Sequence, residues 1–259
     1  MDIVKNQYSA AKNALITGSS KRIGSAIAKS LAKRGTNIIV HHFSSHTDAE
    51  ALCAEIREMG VKAEPISADL SNPSETRRLF KEAIEKFGAI DLVVNNASIF
   101  EPDSVLELDD ALWAAHFSVH LQAPAILASE MAKQSDLKDG LIVNMIDQRV
   151  KNLNPMFFSY TLSKSALWTA TQTMAQELAP RIRVNGIGPG PTLANKRQDP
   201  SDFEKQIDGL LLKRGPDLEE FGDTIAWLWR SKSVTGQMIA LDGGQHLGWQ
   251  TPDVNGVRE

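Results

Sequence analysis

Three residues near the middle of the chain are of types that can move a proton: Asp147, Tyr160 and Lys164. Tyr160 and Lys164 stand four positions apart in a segment whose apolar residues, Leu162, Ala166, Leu167, Ala170 and Met174, recur at helical spacing. A phenol and an ammonium would therefore share one helix face. A nearby positive charge favours phenolate and brings a tyrosine towards a pKa useful for proton transfer. Asp147 closes an apolar run, 141–147, that reads as a buried strand, and it faces the pair across a polar loop. A lone Y-x-x-x-K also occurs on ordinary helices, so the reading depends on the elements around it.

Those elements alternate. Asn13-Ala-Leu-Ile reads as a short buried strand and runs into a Gly-rich turn, after which Ile23, Ile27 and Leu31 repeat at helical spacing until Gly35. A strand, a glycine turn and a helix in this order let backbone amides approach a phosphate at the helix N-terminus. Gly18, Ser20, Lys21, Arg22, Ile23 and Gly24 are the candidate cradle. The next strand, 37–42, ends in His41, His42, Phe43, Ser44 and Ser45, with no carboxylate to hold a ribose hydroxyl. With Lys21 and Arg22 across the turn, His42, Ser44 and Ser45 offer donors and positive charge to a 2′-phosphate, which favours NADPH over NADH.

Further along, 47–59 is expected as helix, 61–66 as strand, 73–87 as a helix with proline near its start and Gly88 past its end, and 90–94 as strand. Asp69 could receive an adenine amino group, with Leu70 beside it. A long helix is expected over 112–133, a strand over 139–146, the Tyr160 helix up to Pro180, and a strand over 182–187. The polar segment between Gly190 and Lys205 is the candidate lid, and helices over 203–212 and 218–229 precede a last strand, 237–241. Such alternation builds a doubly wound α/β fold, a parallel sheet with helices on both faces. Ligands of such sheets gather at the carboxyl ends of the strands, where Gly18, His42, Asp69, Asn95 and Asp147 fall. Residues 1–259 read as one domain, without repeats or linkers.

Composition narrows the class. With 42% hydrophobic and 23% charged residues the chain reads as an ordinary soluble protein, and a net charge of -4 gives no general attraction to nucleic acid or anionic membranes. The one cysteine, Cys53, cannot form an internal disulfide or a cysteine-based metal cluster, so no metal is expected. No stretch approaches the roughly 20 apolar residues of a membrane span, and a cytoplasmic location is expected.

In this order the motifs resemble the short-chain dehydrogenase/reductases over nearly the whole chain: Thr17-Gly18 to Gly24, Asn95-Asn96-Ala97, Tyr160-x-x-x-Lys164, Arg183-Val-Asn185, Pro189-Gly190, and Val234-Thr-Gly236 to Asp242-Gly243-Gly244. The resemblance implies a Rossmann-type sheet of about seven strands and hydride transfer between a nicotinamide and a carbonyl, alcohol or imine. It implies that Lys164 lowers the Tyr160 pKa and binds the nicotinamide ribose. It also implies cofactor contacts by Asn95, Ala97, Ser98, Pro189 and Gly190, and a homotetramer packed through the two long helices.

Three departures are informative. Arg22 replaces the usual second glycine of the turn, Asp147 replaces the usual catalytic serine, and Asn-Asn-Ala-Ser-x-Phe occupies 95–100. All three are similar to the pteridine reductase branch, in which the equivalents of Arg22, Ser98, Phe100, Asp147 and Tyr160 bind substrate and the phenylalanine stacks on the pterin. His120 stands where many relatives place a proton-relay asparagine, so an imidazole is the candidate for that role. The expectation is an NADPH-dependent reductase of a dihydropterin, dihydromonapterin or dihydrofolate with Tyr160 as proton donor. Reduction of another carbonyl, such as a 3-oxoacyl thioester or a sugar, and a catalytically silent NADPH-binding regulator remain as alternatives.

Overall fold

The computed structural model describes residues 10–194 and 198–251. Strands β1 (Asn13–Ile16), β2 (Asn37–His42), β3 (Ala63–Ser67), β4 (Leu92–Asn95), β5 (Gly140–Met145), β6 (Ile182–Pro189) and β7 (Met238–Leu241) form one sheet. It has seven strands in the order β3-β2-β1-β4-β5-β6-β7, and every neighbouring pair is parallel. The strands are continuous apolar runs because both faces are covered. Leu15, Ile39, Val93 and Ile142 point to one face and Ile16, Val40, Val94 and Val143 to the other, each set in its own buried cluster. Helices α1 (Arg22–Ala32), α2 (His46–Glu58) and, near the other end of the chain, α8 (Leu218–Arg230) close one face through Ile27, Ile56, Phe221 and Ile225. Helix α3 (Pro73–Phe87) closes the other with Leu79 and Phe80. The chain reverses direction across the sheet between β1 and β4, and the crevice at that switch point is where such folds bind ligands.

Local chemistry explains the element ends. Helix α3 spans the expected residues: Asn72 accepts hydrogen bonds from Ser74 N and Glu75 N, Pro73 opens the first turn, and Gly88 at φ 79° ends it. At α8, Asp217 and Glu220 cap each other's backbone in a capping box.

Three expected helices differ, the one expected over 203–212 being found at Pro200–Asp208. Residues 112–133 are divided into α4 (Asp110–Phe117), a π turn (Ser118–Gln122) and α5 (Ala123–Ala132). Pro124 is the physical reason: it lacks an N–H, and its ring crowds the carbonyl four residues earlier, that of His120. The widened turn puts His120 at the distortion, a common feature of functional sites.

The third is α6 (Phe158–Leu178). Of the apolar stripe expected from the sequence Leu167 is buried and Met174 packs against the core, but the rest of the buried face is Tyr160, Ser163, Lys164, Thr171 and Ala175, while Leu162 is 37% exposed. The inward face is polar because it serves the crevice.

The segment after Gly190 contains α7 (Pro200–Asp208), started by Asp199, whose side chain accepts from Ser201 N. Part of the expected lid, 195–197, lies outside the described residues. Among the described residues no helix is long and apolar enough to cross a membrane.

Candidate active site

The turn after β1 is shaped by its backbone. Gly18 has φ 58°, and a Cβ there would lie 2.8 Å from Ala97 Cα. A Cβ on Gly24 would lie 2.6 Å from both Asn96 Nδ2 and Gly18 O. The turn is stapled to the end of β4: Thr17 Oγ1 accepts from Asn96 N and Ala97 N at 2.9 and 3.0 Å, and Asn96 Nδ2 donates to the carbonyls of Thr17 and Gly18. Such a close-packed glycine turn at a helix N-terminus leaves room only for backbone amides to meet an anion.

A residue outside the expected site supports this turn. Gly18 N donates to His41 Nδ1 at 2.9 Å, so the other nitrogen, Nε2, carries the proton and donates to Ala68 O at 3.0 Å. His41 therefore ties the turn to β2 and to the loop after β3 as a neutral ring. Burial lowers its pKa from 6.5 to about 4.

The other turn residues divide by role. Arg22 adopts φ 55°, a conformation that glycine takes more easily, and its guanidinium donates to the carbonyls of Leu193 and Ala194, both at 3.2 Å. It thus links the turn to the segment after β6. Lys21 pairs with Asp48 at 2.8 Å, and Ile23 packs against the core. Ser20 is half-buried, Ser44 is exposed, and Ser45 begins α2 without a side-chain cap. His42 is buried with Nδ1 lacking a partner, and its ring lies 5.5 Å from that of His46. Burial and then His46 lower its pKa. An orphaned imidazole nitrogen, a nearby lysine and a Cβ-free cradle fit a phosphorylated dinucleotide.

Three other expected cofactor residues are engaged within the protein. Asp69 Oδ1 accepts from Ser71 N and Ser71 Oγ, Leu70 is buried in the core, and Asn95 Nδ2 donates to Asn144 Oδ1 at 2.7 Å. Asn144 in turn donates to Thr171 Oγ1, so Asn95 joins β4, β5 and α6. Pro189 ends β6, and Gly190 N donates to Leu241 O, where a Cβ would lie 2.6 Å from Asp242 Cα.

The reacting group lies at the end of β5. Tyr160 Oη donates to Asp147 Oδ2 at 2.7 Å, while Asp147 Oδ1 accepts from Arg149 N at 2.8 Å. Lys164 Nζ donates to Met145 O at 2.8 Å. Burial raises the Asp147 pKa, opposed by its hydrogen bonds and by the charges of Arg149 and Lys164. Lys164 is lowered by burial to about 8, with Asp147 acting in the opposite direction. The expected lowering of Tyr160 is reversed. Burial, the Asp147 charge and the bond to that carboxylate push the phenol well above 10. Tyr160 is therefore a held proton, with Asp147 beside it as the acceptor.

The Tyr160 ring is fixed by other rings. His120 and Phe100 meet it edge-on with centroids 5.4 and 4.8 Å away, and His116, a residue the sequence reading passed over, does so at 5.9 Å. His120 Nε2 accepts from Ile99 N at 3.0 Å, so Nδ1 carries the proton and donates to Ser163 Oγ at 2.8 Å. Ser98 Oγ also reaches Nε2, at 3.1 Å, and Ser163 donates to Tyr160 O. His120 thus braces the 98–99 loop against α6. Neither ring nitrogen is hydrogen-bonded to Tyr160 Oη or Lys164 Nζ among the described residues. His116 stacks on His120 and pairs with Ser159 Oγ at 2.7 Å, while Asp103 holds Ser159 N. The i, i+4 spacing of the two histidines was the available signal for His116. One face of Phe100 is stacked on Phe157, with centroids 4.1 Å apart and planes within 6°. Phe157 itself stands at φ 57° at the start of α6.

Comparison with known proteins agrees with this geometry. The family model described as short chain dehydrogenase matches residues 12–205. The crystal structure of FolM alternative dihydrofolate reductase 1 from Brucella suis in complex with NADP is 53% identical, with a TM-score of 0.92 over 95% of this chain and 99% of that one. The Brucella canis protein of the same name, complexed with NADP, is 52% identical, with a TM-score of 0.90 over 96% of this chain and all of that one. A 3-oxoacyl-[acyl-carrier-protein] reductase, FabG of Staphylococcus epidermidis, is 30% identical over 91% of this chain and 99% of its own length. With the glycine turn, the Tyr160–Lys164 helix and the seven-stranded order all in place, the chain is an oxidoreductase that belongs to the short chain dehydrogenase family.

Proposed function

We propose that the protein is an NADPH-dependent reductase of a dihydropterin-type substrate: a dihydropterin, dihydromonapterin or dihydrofolate. The observation that carries this reading is the 2.7 Å bond from Tyr160 Oη to the Asp147 carboxylate, beside Phe100. A ketone offers only an oxygen, for which a hydroxyl donor suffices. A reduced pterin also presents an amino group and ring N–H donors, which need an acceptor, and a flat ring, which needs an aromatic face.

Gly18, Lys21, Arg22, Gly24, His42, Ser44 and Ser45 would hold the phosphates of NADPH, and Lys164 its nicotinamide ribose. Bound NADPH supplies a hydride for the carbon of a C=N bond. The chain supplies the accompanying proton: Tyr160 Oη carries it, and the raised Asp147 carboxyl takes a replacement from solvent. Lys164 at about 8 is still cationic at neutral pH and offsets negative charge left on the pair. His116, His120 and Phe100 hold the phenol in line.

The relatives whose names describe dihydrofolate reduction and NADP complexes support this reading. The 30% identity to FabG supports a second, reduction of a 3-oxoacyl thioester. NADPH oxidation measured against dihydropterins, dihydrofolate, acetoacetyl thioesters and sugars tests both. Turnover of the thioester alone rejects the pterin reading, and NADPH binding with no turnover identifies a silent binding protein.

We also propose a homotetramer, supported by Leu162, an apolar side chain that α6 turns outward. Light scattering should exclude a 28.4 kDa monomer.

A further inference from the structure

Arg149 is a charged side chain beside the reacting group that the chemistry above does not use. It follows Asp147 by two residues, on the short 3-10 turn Gln148–Val150 between β5 and α6, and is half-buried. Its guanidinium carbon lies 5.1 Å from the ring centre of Phe157 and 5.6 Å from that of Phe100, nearly equidistant from two rings that are stacked on each other, so it lies beside the stacked pair at the ring edges. Among the described residues, one of its five N–H groups has a side-chain partner, Nη1 donating to Asn154 Oδ1 at 3.2 Å. Among the described residues no carboxylate forms an ion pair with it. Its field reaches both Asp147 and Tyr160, where it opposes the upward shifts of the two groups. Asp147 is nevertheless committed elsewhere, to Tyr160 Oη and Arg149 N.

The arrangement has the parts of a second subsite: a stacked aromatic pair and, beside it, a planar cation whose fork matches a carboxylate. The turn packs against α6, which carries the buried Tyr160 and Lys164, so the substituent of a ring reacting at Tyr160 is within reach of it.

We propose that Arg149, beside the Phe100–Phe157 stack, is a specificity-determining residue that binds the carboxylate of an aryl-bearing substituent, selecting a folate-type dihydropterin over one with a neutral hydroxyalkyl tail. This rests on the pterin reading and deepens it. An aromatic segment of the substituent packs on the phenylalanine faces, and its carboxylate pairs with the guanidinium.

The test compares kcat/KM for dihydrofolate, which carries the aryl carboxylate tail, with that for dihydromonapterin, which does not, in the wild type, Arg149→Gln and Arg149→Lys. Loss of a charge-assisted pair predicts that Arg149→Gln lowers the dihydrofolate-to-dihydromonapterin ratio by about ten- to a hundredfold, mainly through the dihydrofolate KM. Arg149→Lys keeps the charge without the fork and should recover part of the ratio. Thermal melting of each variant separates these effects from misfolding. A ratio that stays within about twofold of wild type overturns the inference while leaving the pterin reading intact, since a factor that small is below any charge-assisted contact. So does an equal loss on both substrates, which would mean that Arg149 acts through Asp147. Wild-type protein that reduces neither substrate overturns the pterin reading, and this inference with it.

Discussion

The two halves of the crevice are built by opposite means. At the glycine turn proposed to hold the cofactor the backbone sets the shape: Gly18 and Gly24 lie where a Cβ would meet a neighbour at 2.8 Å or less, and the charged side chains lie at the surface. At the end of β5 the side chains do the work: Tyr160 and Lys164 are buried, and Asp147, Tyr160, Lys164, His116 and His120 all have displaced pKa values. A shape-based site binds a constant cofactor and tolerates changes in nearby charge. A site based on desolvated groups sets protonation, and a single substitution there alters chemistry more than binding.

The largest expected effect tests the reacting half. Tyr160→Phe removes the held proton and should lower kcat/KM for every substrate by about 10²–10⁴-fold. Asp147→Ser should lower pterin reduction by about the same 10²–10⁴-fold with cofactor affinity little changed, because it restores the hydroxyl of ordinary carbonyl reductases and removes the carboxylate. Steady-state kinetics on both variants, with dissociation constants for NADPH, check the pair. Intact pterin turnover in Asp147→Ser would leave a reductase but break the argument for a pterin.

A second expectation concerns the strut beneath the cofactor half. His41 has a folded pKa of about 4 against 6.5 for a free imidazole. The unfolded chain therefore binds the proton first, so the stabilisation is complete above pH 6.5 and is lost as the pH falls towards 4. At about 1.4 kcal/mol per pH unit, the loss across that window is about 3 kcal/mol. Urea denaturation of wild type and His41→Gln from pH 7.5 downward measures it. The variant should have a shallower slope, and equal slopes would mean that His41 does not carry the proton linkage.

The smallest effect is in cofactor choice. His42 and Lys21 add charge-assisted contacts worth about 1.5–3 kcal/mol to a 2′-phosphate, so NADPH should bind about ten- to a hundredfold more tightly than NADH. Asp48 already pairs with Lys21 at 2.8 Å in an exposed ion pair, which keeps the margin modest. Equal affinities by fluorescence titration would show that the backbone cradle alone decides binding.

The sequence by itself determined the order of strands and helices and the chemical types in the crevice. Apolar runs at β1, β4 and β5 specify strands covered on both faces, Asn72, Pro73 and Gly88 specify the ends of α3, and Tyr160 and Lys164 specify a shared helix face. These are short-range features, set by side-chain periodicity and backbone sterics within a few residues. Pro124 held the signal for the π turn, but its effect falls on His120, whose partners come from 21 and 43 positions away. Tertiary structure alone decided that the inward face of α6 is polar, that His41 braces Gly18, that Phe157 stacks on Phe100, and that burial and Asp147 outweigh Arg149 and Ser98 at Tyr160. Each of these depends on which distant groups exclude water from one another. Desolvation and long-range pairing are properties of the packed chain, and no local spacing contains them.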